Sequence, residues 1–314
     1  MSAPVPFGAI DCGTNSTRLL ISDGSTIIER RTAITALGQG LSTSGRLSDE
    51  AVERVAAALE DYKTLLDEHQ VTNVRVVATS AARDASNSAQ FFDRVQAILG
   101  VRPELLSGEE EAKLSFEGAT ADLDPTKGPY LVVDIGGGST EFAFGAARFE
   151  AGISIDVGCV RLTETYVESD PPLPEELVAC LSITETHLDD VARLHPMMMS
   201  ASTMVGLAGT VTSAAAIEQG LHEYDRDAIH HFTLTKPAAE DVYRTVATES
   251  LEDRRYNPGL EADRAEVIVG GMCILVRIMR YFGFDELLVS ESDILDGLIR
   301  SMSARDDSGQ TDAE

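Results

Sequence analysis

Two patterns of apolar residues alternate along this chain, and each predicts a different element. Apolar runs at 8–12 and 18–21 flank a glycine-containing turn, which predicts a β-hairpin. A further strand is expected at 26–34, followed by a turn rich in glycine (Gly38, Gly40, Gly45). From Ser48 the period changes. Val52, Val55, Ala56, Leu59, Tyr62, Leu65 and Leu66 recur at three and four, which predicts a helix to about residue 66. Ser48 is its expected cap, with Asp49 and Glu50 in the first turn. Beyond it the pattern predicts a strand at 74–79, a helix at 91–99, a short strand at 104–106 and a helix at 109–121. A second hairpin with its flanking strands fills 129–154. Helices are then expected at 160–166, 175–194, 237–249 and 264–282. A strand at 204–208 feeds another helix beginning near Gly209, and a strand at 286–289 precedes a last helix at 294–302. Residues 304–314 are polar and are expected to form a disordered tail.

The two hairpins are copies. Around the first turn the chain reads Asp11-Cys12-Gly13-Thr14-Asn15-Ser16-Thr17, and around the second Asp134-Ile135-Gly136-Gly137-Gly138-Ser139-Thr140. Both fit D-x-G-x-x-S-T, and the separation, from position 11 to position 134, is that of one domain. The Pro/Gly/charge stretch at 122–128 is the expected linker. The expected division is therefore an N-terminal α/β domain over 1–122, a C-terminal α/β domain over 123–303 and the tail at 304–314. Two halves that each begin with the same hairpin suggest a cleft between domains, a preferred place for a ligand.

Composition narrows the choices. With 43% hydrophobic residues in 314, the chain has material for real cores. Lysine and arginine number 25 against 52 acidic residues, a net charge of −27. That argues against an extended face for DNA and against an anionic membrane surface. A small anionic ligand is still compatible, because backbone N–H groups, a few arginines and a metal ion build a local positive site. No apolar stretch is long enough to span a bilayer, and the N-terminus lacks the basic and apolar regions of a secretory signal. Cys12, Cys159, Cys180 and Cys273 stand far apart with no CxxC pair, which fits a reducing cytoplasm.

The twin turns carry the clearest chemistry. A glycine two residues after the aspartate permits positive φ and close approach of backbone N–H groups to a ligand. Ser16, Thr17, Ser139 and Thr140 add hydroxyl donors, and Asp11 and Asp134 at strand ends would hold Mg²⁺. Two opposed turns would grip a phosphate chain. Glu109, Glu110 and Glu111 open a predicted helix, where the dipole favours them. One of them, aimed into the cleft, would deprotonate an attacking water, its pKa raised by its neighbours. Arg83 would fork onto phosphate oxygens, and Gly209-Thr210 at a helix start is an anion site. No P-loop, GxGxxG, HExxH or GxSxG sequence is present. The histidines do not fall at zinc-ligand spacing, and His230-His231 reads as an exposed strand or loop pair.

Taken together these motifs resemble the exopolyphosphatase/guanosine-pentaphosphate phosphohydrolase (Ppx/GppA) family, over about residues 7–299. The family's D-x-G-[ST]-N-S-x-[RH]-L is matched by Asp11 to Leu19, its [AG]-T-x-x-x-R by Ala78 to Arg83, and its I-x-G-x-E-E-A by Leu106 to Ala112. D-I-G-G-G-S-T-E is matched by Asp134 to Glu141, and R-A-[DE] by Arg264 to Glu266. G-x-[SG]-G-T is matched by Gly206 to Thr210, with Ala208 a departure expected to have little consequence. The resemblance implies two ribonuclease-H-like domains of the actin/Hsp70/sugar-kinase superfamily. It implies Mg²⁺-dependent release of terminal phosphate from inorganic polyphosphate, with Mn²⁺ also suited to the ligands. The family's catalytic glutamate maps to Glu111, with Glu110 assisting. Asp11, Asp134 and Glu141 would place the metal. Phosphate would be held by Gly13, Thr14, Asn15, Ser16, Thr17, Gly136, Gly137, Gly138, Ser139, Thr140, Gly209 and Thr210, with Arg83. Arg18 and Arg264 would help to steer the substrate. Family members commonly form homodimers, and this chain resembles the short, two-domain form. Guanosine pentaphosphate (pppGpp) is the close alternative substrate. An actin-fold phosphotransferase and a nonenzymatic sensor are more distant alternatives.

Overall fold

The computed structural model describes residues 6–311, with side chains through residue 304. Contacts group it into two compact units.

The first unit holds a five-stranded sheet. Strands β1 (Phe7–Cys12), β2 (Ser16–Ser22) and β3 (Ile27–Ile34) form an antiparallel meander. β4 (Asn73–Ala78) and β5 (Glu104–Leu105) lie parallel to β1, giving the order β3-β2-β1-β4-β5. β1 is buried on both faces because a helical layer covers each. Ile10 and Cys12 pack into a core with Val55, Leu59 and Tyr62 of the helix Asp49–Glu68 and Phe91 of the helix Ser88–Leu99. Ala9 and Phe7, on alternate positions, face a second core with Leu114 of the helix Gly108–Ala119.

That second core also contains Ile294, Leu295, Leu298, Ile299 and Met302 of the helix Ile294–Thr311. The helix lies so close to its neighbour that a Cβ at Gly297 would stand 2.1 Å from the Leu114 carbonyl oxygen. Burial of such side chains is worth roughly 1.5–3 kcal/mol each, and contacts accordingly assign Ile294–Glu314 to the unit of Met1–Gly118. A single cut near 122 with everything to 303 in one C-terminal domain is thus not how the contacts divide the chain. The last helix also runs past 302 to Thr311, through Gly309. Residues 312–314 of the expected tail lie outside the described residues.

The second unit, Ala119–Asp293, repeats the scheme with an extra edge. β6 (Tyr130–Ile135), β7 (Thr140–Gly145) and β8 (Phe149–Ile155) form the meander. β9 (Thr203–Leu207) is parallel to β6, β10 (Thr233–Thr235) is the antiparallel edge, and β11 (Glu286–Val289) is parallel to β9. The order is β10-β11-β9-β6-β7-β8. β6 is β1 displaced by the spacing of the two aspartates, at both ends (7 to 130, 12 to 135). Each sheet has the ribonuclease-H-like arrangement expected. The helix Ile268–Phe282 is buried all round over Ile268–Val276, where every residue is apolar or glycine, and turns a face to solvent only at its end, at Arg280. It begins four residues later than its sequence pattern suggests. Arg264 instead ends the short 3₁₀ turn Ala262–Arg264. Among the described residues no helix is long and apolar enough to cross a membrane.

Candidate active site

In the first unit three chain segments leave the same edge of the sheet. Cys12 pairs with Ala78 in the β1–β4 register, and Ala78 pairs with Leu105 in the β4–β5 register. The turn at 13–15, the segment Thr79 to Arg83 and the segment Leu106 to Glu111 therefore all start from the carboxyl ends of adjacent parallel strands. That edge is where open α/β sheets take their ligands.

The turn is tight. The Gly13 N–H donates to the Ser16 carbonyl at 3.0 Å. Gly13 does not use the positive φ expected of it. A Cβ there would stand 3.0 Å from the Ser16 oxygen, so close approach is what requires glycine. The Thr14 carbonyl accepts from Gly38 N–H at 2.8 Å, and the Asn15 carbonyl accepts from Thr35 and Ala36 at 3.0 and 2.9 Å. Ser16 is half-buried at the start of β2. Thr17, expected to face a ligand, is turned into the core. Its hydroxyl pairs with that of Thr35 at 2.9 Å, and its carbonyl accepts from the Tyr62 hydroxyl. Arg18 stands opposite Asp11 in the hairpin, and its Nη2 donates to Asp11 Oδ2 at 2.6 Å.

Arg83 and Glu111 meet. Arg83 Nη1 donates to Glu111 Oε2 at 2.6 Å and to the Leu106 carbonyl at 3.0 Å, and Glu111 is buried. Glu110 does something else. It closes a capping box, its Oε2 accepting from the Ser107 N–H at 2.8 Å and hydroxyl at 2.7 Å. Those bonds hold its carboxyl below the usual value, opposite to the rise expected for a clustered glutamate. Glu109 adds to the acidic first turn.

In the second unit the same edge is formed by the ends of β6, β9 and β11. Gly136 N–H donates to the Ser139 carbonyl at 3.0 Å, as in the first turn, and again φ is not positive. What backs this turn is a helix rather than a loop. The amides of Cys159 and Val160, at the start of the helix Cys159–Tyr166, donate to the Gly136 and Gly137 carbonyls at 3.0 and 2.9 Å. Arg161 Nε donates to the Gly138 carbonyl at 2.8 Å. A Cβ on Gly158 would overlap the Gly137 oxygen at 2.4 Å. Thr140, like Thr17, is fully buried, and its hydroxyl donates to the Val157 carbonyl at 2.6 Å. Asp134 and Glu141 are direct cross-strand partners and both are buried. Glu141 Oε1 accepts from Ser139 and Ser154 hydroxyls at 2.6 Å each.

Gly209 and Thr210 lie in the first turn of the helix Ala208–Glu218. Ala208 is not the neutral departure expected. It sits at φ 65°, a left-handed conformation in which glycine is at ease and alanine is strained. Arg264 lies on Gly209, where a Cβ would stand 1.4 Å from its Nη1, and its Nε donates to Glu261 Oε2 at 2.5 Å. Burial pushes the Cys159 thiol up to about 11, against the pull of the Arg264 charge.

One cluster has no counterpart in the sequence reading. Asp122 and the stacked pair His230-His231 bring ligand atoms within 4.8 Å of one another. Spacing along the chain hides it, because Asp122 comes from far upstream. His230 is poorly disposed toward a metal. Its Nδ1 accepts the Glu291 N–H at 3.1 Å, so Nε2 carries the proton and faces Asp122 Oδ2 at 3.3 Å. Burial and the neighbouring His231 hold the His230 pKa below its ordinary value.

Comparison with known proteins accords with this geometry. The model of the Ppx/GppA phosphatase family matches residues 20–306. The chain is 40% identical over 312 residues to exopolyphosphatase 2 of Mycobacterium tuberculosis, covering 94% of this chain and 98% of that one. The crystal structure of an exopolyphosphatase-like protein superposes with a TM-score of 0.93 at 34% identity, covering 96% and 99% of the two chains. That of the Aquifex aeolicus Ppx/GppA family member gives 0.80 at 33% identity, covering 96% and 98%.

Proposed function

The chain belongs to the Ppx/GppA phosphatase family, and from that premise we propose that it is an exopolyphosphatase, releasing terminal orthophosphate from inorganic polyphosphate. The observation that carries the reading is the convergence, at the carboxyl ends of β1, β4 and β5, of the tight turn at 13–15, Arg83 and the buried Glu111.

Glu111 is the general base. Water attacks the terminal phosphorus in line, the new P–O bond forms as the bridging P–O bond breaks, and the proton passes to the Glu111 carboxylate. The shortened chain leaves with the bridging oxygen. Arg83 fixes the carboxylate, and its cationic head matches the anionic, loose transition state. Glu110 holds the helix start that carries Glu111 and does not take the proton. Within the first unit, backbone amides of the turn at 14–15 would hold phosphate oxygens, and within the second unit those at 137–138 and of Gly209 and Thr210 are suited to the same task.

The donor set for a cation is the pair Asp134 and Glu141. They are oxygen ligands, buried and opposite each other, which fits Mg²⁺ and also Mn²⁺. Bound there, the ion would neutralise phosphate charge. Asp11 fits less well, since Arg18 already neutralises it. The four free, buried cysteines support a cytoplasmic setting. A homodimer follows from the family resemblance alone.

The test is phosphate release from short-chain polyphosphate, long-chain polyphosphate and pppGpp side by side, with Mg²⁺ and with chelator. Metal-dependent release favouring polyphosphate is the expected result. A preference for pppGpp would overturn the substrate, and release unaffected by chelator would overturn the metal.

A further inference from the structure

The first turn does not hold its shape by itself. Three backbone bonds reach it from the loop after β3, those of Thr35 and Ala36 to the Asn15 carbonyl and that of Gly38 to the Thr14 carbonyl. The loop is itself in an unfavourable conformation. Ala36 has φ 44°, a left-handed backbone that a residue with a Cβ rarely adopts, so surrounding bonds must hold it. The side chain that does so is Arg54, from the helix Asp49–Glu68. Its Nε donates to the Thr35 carbonyl at 2.7 Å, and its Nη2 donates to the Ala36 carbonyl and to Gln39 Oε1 at 3.1 Å each. Residues 35 and 36 are thus gripped from both sides, their carbonyls by one guanidinium and their amides by Asn15.

We propose that Arg54 is a positioning residue for the first phosphate-holding turn, acting through residues 35–38. This rests on the phosphohydrolase reading. Two features of the geometry give it content. The fork needs a planar group with donors at two angles, which a lysine supplies only in part. The linkage also reaches the backbone that binds phosphate and not Glu111, so its loss should appear in substrate binding more than in the chemical step.

The experiment compares Arg54→Met, which keeps the apolar stem, with Arg54→Lys. The control is Arg94→Met, which breaks the neighbouring exposed pair Arg94–Glu53. The first readout is hydrogen exchange at the amides of Thr35, Ala36 and Gly38. The second is KM and kcat for phosphate release from polyphosphate. Arg54→Met is expected to speed exchange at these amides by about tenfold or more while the helix Asp49–Glu68 keeps its protection. KM should rise roughly 10- to 100-fold, as for other distant misplacements of a binding group, with kcat within about twofold. Arg54→Lys should recover part of both, and millimolar guanidinium ion should lower the KM of Arg54→Met. Unchanged exchange in Arg54→Met overturns the proposal whatever the activity. An equal loss in Arg94→Met, or a loss confined to kcat, overturns it as well. If wild type releases no phosphate while the exchange arm behaves as expected, the substrate reading fails and the buttress stands.

Discussion

The two D-x-G-x-x-S-T turns are one design executed twice, and they differ in what stands opposite the aspartate. In the first, Asp11 faces Arg18 across the hairpin and is ion-paired to it at 2.6 Å. In the second, Asp134 faces Glu141. The hairpins share register, the Gly-to-Ser bond at 3.0 Å and a buried threonine anchor. One cross-strand exchange of arginine for glutamate therefore changes the electrostatic demand of the site without changing its backbone. The proposed cation is assigned to the hairpin with two acidic oxygen donors in cross-strand register. The hairpin whose aspartate is held by arginine is assigned none. The backing differs too. A helix N-terminus supports the second turn, whereas a strained loop and a distant arginine support the first.

The largest expected effect falls in the first unit. Glu111→Gln should lower kcat by about 10²–10⁴-fold, the usual cost of a removed general base, while phosphate-chain binding persists. Glu110→Gln should leave kcat within a few-fold. A collapse on Glu110→Gln with Glu111→Gln near wild type would move the base by one residue and break the division of labour drawn from the capping box.

Next comes the cation. Asp134→Asn should raise the Mg²⁺ concentration for half-maximal rate by about tenfold or more, in line with the loss of a metal-site group. Asp11→Asn should shift it much less. A metal titration in which Asp11→Asn moves the midpoint further than Asp134→Asn would reverse the comparison.

Third in size is the threonine anchor of the second turn. Thr140→Val should destabilise the second unit by about 1–3 kcal/mol, because the Val157 carbonyl loses a buried donor. KM should stay within about twofold. If KM rose tenfold at unchanged stability, Thr140 would be a ligand-facing hydroxyl and its buried position would need another account.

Much of this was legible in the chain. The repeat and the strand–helix alternation follow from local patterns, whereas the run Glu109 to Glu111 does not by itself say which glutamate meets Arg83. What was not legible depends on partners distant in sequence. Nothing near Thr17 or Thr140 says that their hydroxyls turn inward, since that is decided by Thr35 and Val157. Arg54 reads as an ordinary helix position until the loop at 35–39 folds onto it. The last helix reads as part of the second domain because it follows it in sequence, but its apolar face completes the first unit's second core. Side-chain chemistry makes Ala208 look neutral, and only the backbone, at φ 65°, shows its strain. Ala208→Gly should stabilise the chain, by at most about 1 kcal/mol after the entropy of the freer unfolded chain is set against relief of the left-handed alanine. Thermal unfolding measures it, and a clear loss of stability would contradict the strain.

The smallest effect sharpens the contrast between Glu110 and Glu111 through pH. The Ser107 N–H and hydroxyl hold the Glu110 carboxyl below its usual value in the folded chain. Its ionised form therefore stabilises the fold. That contribution is fully present above the unfolded pKa, about 4.3, and is lost as pH falls through the lower folded value. Glutamine keeps the hydrogen bonds of the capping box and removes only the charge. Glu110→Gln should thus sit slightly below wild type in thermal stability at neutral pH, and the two curves should converge under acid. A gap that stayed constant as pH falls from 7 into the acid range would mean that the box depends on shape alone. The helix start carrying Glu111 would then be held without help from the Glu110 charge.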